Sequence, residues 1–109
     1  MADIELRQGE VLLEEVKGDY WEKFLVIFST QIRGKYWMTN QRIIFHGNYD
    51  TNLDLEIKDI QSLKPCLIGG LIPFIPTGIN VSMKDGKSYK LSLLARDKYI
   101  RMIQDAMRR

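Results

Sequence analysis

Cysteine and histidine are nearly missing from this sequence: one of each, Cys66 and His46, in 109 residues. A lone cysteine excludes an intramolecular disulfide, and one cysteine with one histidine cannot supply a zinc set. Cys66 has apolar neighbours and reads as a small buried hydrophobe. His46 closes a strand and reads as a structural hydrogen-bonding residue. No metal and no cofactor are expected. Long hydrophobic runs are also lacking. The longest, Cys66 to Ile75, contains two glycines and a proline and is about half of the ~20 residues a spanning helix needs. The start, Met1-Ala2-Asp3-Ile4-Glu5, has neither the basic nor the apolar region of a secretory signal, so a cytoplasmic chain, peripheral to membranes if it meets them, is expected. Phosphate-loop patterns are missing too, and Gly69-Gly70 and Thr77-Gly78 read as turn formers. Glu14 and Glu15 are neighbours on a strand, face opposite ways, and cannot act on one substrate as acid and base. With no nucleophile paired to a base, the chain reads as non-enzymatic.

What is present describes an ordinary folded chain. Apolar residues make up 45% and charged residues 28%, and the length suits one domain spanning 1–109. The net charge of +2 hides an asymmetry: three basic against seven acidic residues up to Ile32, thirteen against seven from Arg33 onward. A basic excess of this kind suits anionic partners or a mixed solvated surface.

Hydrophobic periodicity divides the chain into short strands and one helix. Gly9 to Lys17 alternates imperfectly as a first strand. Tyr20 to Ser29 is apolar on every side around Phe24-Leu25-Val26-Ile27-Phe28, and the spacing of Trp21, Leu25 and Phe28 inclines the reading to a helix. Lys35-Tyr36-Trp37-Met38-Thr39 and Arg42-Ile43-Ile44-Phe45-His46 form a hairpin around Asn40-Gln41. Leu53, Leu55 and Ile57 alternate with Asp54 and Glu56. A short strand from Ile60 is expected to end at Pro65, which supplies no ladder donor. Ile79 to Met83 and Tyr89 to Leu93 flank Asp85-Gly86, read as a type I′ turn. Asp97 to Arg108 repeats apolar residues at helical spacing. About six or seven strands followed by one amphipathic helix predict a mainly β fold: an antiparallel barrel or sandwich capped by the C-terminal helix.

Three segments carry a resemblance. Gly34-Lys35-Tyr36-Trp37-Met38-Thr39-Asn40-Gln41-Arg42-Ile43-Ile44-Phe45 resembles the glycine–aromatic–T-N-x-R–hydrophobic hairpin of GRAM domains. Leu55-Glu56-Ile57-Lys58-Asp59-Ile60 and Gly86-Lys87-Ser88-Tyr89-Lys90-Leu91 resemble that family's next strand and penultimate hairpin. Together they cover about Gly9 to Met107, in order, and Tyr20 to Ile32 is longer than usual. The resemblance, to a stand-alone bacterial-type GRAM domain, implies a pleckstrin-homology-like fold and a module associated with membranes, lipids or protein partners.

Two groups of residues are candidate contacts. Lys84, Lys87 and Lys90 surround the Asp85-Gly86 turn. A two-residue loop would set Lys84 across from Lys87, where a bound anion such as a lipid head group would relieve their repulsion; alternatively the lysines are simply solvated. Leu67, Ile68, Leu71, Ile72, Phe74 and Ile75 crowd a loop from Pro65 to Pro76. That loop either lies over the barrel opening or meets a membrane or partner. The leading expectation joins the two groups in a peripheral contact with anionic membrane lipid. The alternative is a protein-interaction domain, including association with a second copy. Nucleic acid ranks last, because Lys35-Tyr36-Trp37 alternates faces and must give an aromatic ring to the core.

Overall fold

The structure is a computed structural model, and it describes residues 4–25, 28–69 and 75–108. Seven strands follow in chain order: β1 (Leu12–Leu25), β2 (Phe28–Thr39), β3 (Arg42–Gly47), β4 (Asn52–Glu56), β5 (Ile60–Ile68), β6 (Ile75–Met83) and β7 (Ser88–Ser92). A 3-10 turn, Ile57–Asp59, joins β4 to β5, and the helix α1 (Arg96–Met107) ends the fold. All pairings are antiparallel and the sheet runs β4-β3-β2-β1-β7-β6-β5. One core, drawn from β2 through β7 and from Tyr99, Ile100, Ile103 and Ala106 of α1, lies on the inner side of this sheet. The sheet is therefore curled, with β4 and β5 as its two edges, and the apolar stripe of α1 covers the interior.

The expected hairpin around Asn40-Gln41 is present, with Trp37 opposite Ile44 and Tyr36 opposite Phe45. Its first glycine has a steric reason: a Cβ on Gly34 would collide with the His46 carbonyl oxygen and the Gly47 Cα across the ladder. Tyr36 enters the core at 0% exposure, packs on Phe45 at 4.7 Å between ring centroids, and donates its hydroxyl to the Asp19 carbonyl oxygen at 2.6 Å. Trp37 faces the other way, yet it is only 1% exposed. His46 meets its ring edge-on at 5.0 Å, the Lys35 ammonium lies 5.6 Å from the ring centroid, and Lys35 pairs with Glu15 beside it. Neither ring of this motif is free to stack on a base.

Three expectations are corrected. The expected helix from Tyr20 to Ser29 is strand at 20–25 and 28–29, with Val26 and Ile27 outside the described residues: Tyr20 pairs with both Ile32 and Leu91, Trp21 with Gln31 and Lys90. Periodicity alone leaves such a segment open, and here pairing with β2, joined at Tyr20 and Trp21 by β7, decides in favour of extended backbone. Pro65 does not end β5, which continues to Ile68; Pro65 stands opposite Ile79 on an edge strand, where a missing donor is tolerated. Ile57 belongs to the 3-10 turn and not to the strand before it.

Candidate functional site

The best-bonded polar region lies where the N-terminal segment crosses the β2–β3 turn. Glu10 and Arg42 are 7% and 8% exposed. Arg42 donates from Nε to Glu10 Oε2 at 2.8 Å and from Nη2 to Oε1 at 2.7 Å, a two-pronged pair. Its remaining donors reach Asp54 Oδ2 at 3.1 Å and the Glu5 carbonyl at 2.9 Å. The Thr39 hydroxyl donates to Glu10 Oε2 at 2.6 Å and accepts from the amides of Gln41 and Arg42. Asn40 Oδ1 accepts from the Val11 amide at 2.7 Å, and its Nδ2 donates to the Gly9 carbonyl at 3.1 Å. The hydrogen bond and charge of Arg42 hold the Glu10 carboxyl down at about 2, against the opposing effect of burial. The Thr39-Asn40-Gln41-Arg42 turn is thus a clip that fastens the N-terminal segment.

The β6–β7 turn is built differently. The Met83 amide donates to the Lys87 carbonyl at 2.8 Å and the Gly86 amide to the Met83 carbonyl at 3.0 Å. Gly86 alone in this turn has a left-handed backbone, at φ 94°. The loop therefore has three residues, Lys84-Asp85-Gly86, and is not the expected two-residue type I′ turn. Asp85 Oδ1 accepting from the Lys87 amide at 2.9 Å stabilises this form. Lys87 consequently stands opposite Met83, and Lys84 is not across from Lys87.

The three lysines do not gather. Lys84 lines a cleft of about 560 Å³ together with Asp54, Glu56, Asp59, Asp85 and Tyr89, so carboxylates surround it. Lys90 projects from the outer side of β7, because its neighbours Tyr89 and Leu91 face the core. All three are exposed, and none has an ion-pair partner among the described residues.

The apolar candidates are also redistributed. Ile68 is 2% exposed and belongs inside, where it pairs with Ile75, itself half-buried. Leu67 is 51% exposed on the edge strand. Leu71, Ile72 and Phe74 lie outside the described residues. What reads as a loop from Pro65 is strand up to Ile68 and again from Ile75. Cys66 on β5 has its thiol pushed up by burial, opposed by the nearby charges of Lys90 and Arg96.

Strand directions fix which ends meet. β6 carries Ile75 at one end and Met83 at the other, about 26 Å apart at 3.3 Å per residue. The β5–β6 connection and the lysine turn therefore lie at opposite ends, and one flat surface cannot engage both. The antiparallel β1–β7 pairing instead brings the β1–β2 connection to the same end as the lysine turn. That sharing of an end depends on register, which the sequence alone does not display. Among the described residues no helix is long and apolar enough to cross a membrane, and no three metal-ligating side chains stand together.

No protein-family model matches the chain, and no curated protein matches it in sequence. Solved structures do. The C-terminal domain of an unknown protein from Leishmania infantum superposes with a TM-score of 0.72 at 16% identity, over 94% of this chain and 88% of that one. The N-terminal PH domain of Vps36 gives a TM-score of 0.68 at 21% identity, over 95% of this chain and 83% of that one. At such identities the likeness speaks for the backbone alone: seven antiparallel strands closed by a C-terminal helix, in the pleckstrin-homology-like arrangement.

Proposed function

We propose that this chain is a non-enzymatic binding module of the GRAM type that seats peripherally on an anionic membrane surface. The three segments that resemble GRAM domains support the family; they form the β2–β3 hairpin, the passage from β4 into β5, and the β6–β7 turn. One observation carries the membrane reading. The turn bearing Lys84 and Lys87 lies at the end of the sheet where β1 stops at Leu25 and β2 starts at Phe28, within the apolar sequence Phe24-Leu25-Val26-Ile27-Phe28. A shallow apolar element near exposed lysines gives reversible attachment, with about 1 kcal/mol per basic residue near an anionic surface. Of the two lysines Lys87 contributes more, since the carboxylates around Lys84 oppose it.

Co-sedimentation with phosphatidylcholine vesicles, with and without phosphatidylserine, tests this. The expected result is binding only to the anionic vesicles, weakening as salt rises; equal binding to both, or to neither, overturns it. Half-exposed Leu67 on the edge strand β5 favours one second reading. In it the β5–β6 end, with Leu71, Ile72, Phe74 and Ile75, meets a protein partner or a second copy. Growth of the scattering mass with concentration in the absence of lipid would support that reading, and a constant monomer mass would remove the second copy.

A further inference from the structure

Four side chains from four strands form one row across the outer face of the sheet. Trp21 of β1 stands opposite Lys90 of β7, Lys90 opposite Asn80 of β6, and Asn80 opposite Lys64 of β5. Their sequence neighbours Leu91, Val81 and Leu63 are core residues, so alternation turns the row away from the core. Lys64 and Lys90 are exposed, and neither has a carboxylate within ion-pair distance among the described residues. Strands lie about 4.8 Å apart, which puts the two lysine backbones about 10 Å apart with Asn80 between them, and both ammonium groups can converge above its amide.

The residues beside the row on β5, β6 and β7 are small and polar. The adjoining row is Ser62, Ser82 and Ser88, and no outward residue paired in the β5–β6 and β6–β7 ladders is acidic. Asp19 of β1, on the same face as Trp21, accepts a hydrogen bond from Gln31 Nε2 at 2.6 Å. Trp21 is partly exposed, while its indole N–H is shut off from solvent without a hydrogen-bond partner.

We infer that this row is a membrane-facing surface: the domain leans the outer side of β5, β6 and β7 onto an anionic bilayer, with Lys64 and Lys90 among the phosphate-bearing head groups and Trp21 at the interface. The inference rests on the proposed membrane seat and adds its orientation. Between β5, β6 and β7 this face carries cations and hydroxyls and no carboxylate in its ladders, which complements an anionic plane, and an indole suits the head-group level. Magnitude selects a bilayer over a free phosphate. Each lysine near an anionic surface changes affinity about fivefold, too little to hold a single soluble anion and enough to tilt a domain already touching at its end. Lys90 lies three residues from Lys87, about 10 Å along the strand, so leaning reaches both. An upright domain would leave Lys64 and Trp21 in water.

Tryptophan fluorescence on phosphatidylcholine–phosphatidylserine vesicles with brominated acyl chains reads the orientation, because buried Trp37 is the only other tryptophan. Quenching and a blue shift are expected on binding, and both should vanish in Trp21→Phe. A Lys64→Ala/Lys90→Ala variant should bind these vesicles about 25-fold more weakly with an unchanged denaturation midpoint. An unquenched Trp21 on bound wild type, or undiminished affinity of the double variant, overturns the orientation while the membrane seat stands. Failure of the wild type itself to bind removes the seat, and the orientation with it.

Discussion

The β2–β3 turn and the β6–β7 turn both carry charged side chains, and they use them in opposite ways. In the first, Thr39, Asn40 and Arg42 are all consumed by bonds to the N-terminal segment, and the Glu10–Arg42 pair is out of water. In the second, Asp85 serves the turn's own backbone while Lys84 and Lys87 have no ion-pair partner among the described residues. Burial explains the contrast. A charge taken out of water is tolerated only with full compensation, whereas an exposed lysine loses little by waiting for a partner. The residues that most clearly mark the family resemblance are therefore structural here, and the plainer lysines are the available ones.

The largest effect is expected at the clip. Glu10→Gln leaves Arg42 under-compensated in a dry site and should cost about 3–5 kcal/mol in urea unfolding, with the vesicle affinity of folded protein unchanged. Acid should reproduce part of that loss. The Glu10 carboxyl is held at about 2, below its ordinary 4.5, so its stabilisation is full above that ordinary value and fades as pH falls toward about 2. The stability gap between wild type and Glu10→Gln should accordingly narrow between pH 5 and pH 2, as followed by urea midpoints. Glu56, lowered by its hydrogen bond from Arg7, shifts wild type and variant alike.

The second turn should respond more weakly. Gly86→Ala places a side chain at φ 94° with nothing within 4 Å, so only backbone strain is added, about 1–2 kcal/mol by thermal or urea unfolding. Lys84→Ala/Lys87→Ala should move stability by no more than about 0.5 kcal/mol. Its effect belongs to binding.

Local chemistry made much of the fold legible. The aromatic and β-branched run from Lys35 to His46 needed only its turn residues to declare a hairpin, and Tyr99, Ile100 and Ile103 sit at helical spacing. Tyr20 and Trp21 resisted because their partners include β7, far along the chain. Asp85-Gly86 announced a turn, but its type was set by the Met83–Lys87 bond and by Asp85 capping the Lys87 amide. Pro65 misled because an edge strand cannot be told from a central one by composition. The candidate site suffered most. Lys84, Lys87 and Lys90 look like one group on paper, and strand alternation with a three-residue loop separates them. Glu10 and Arg42 lie 32 positions apart, and the Trp21–Lys90–Asn80–Lys64 row draws on four strands, so only register could reveal either.

The contrast between the turns is tested most directly by measuring wild type and Lys84→Ala/Lys87→Ala on phosphatidylserine-containing vesicles in one salt series, with urea midpoints taken on the same samples. The variant should bind at least about fivefold more weakly at low salt, the difference should shrink as salt rises, and the two midpoints should coincide. Equal affinity of both proteins at low salt would contradict the account, since the β6–β7 lysines would then be as uninvolved in binding as the clip.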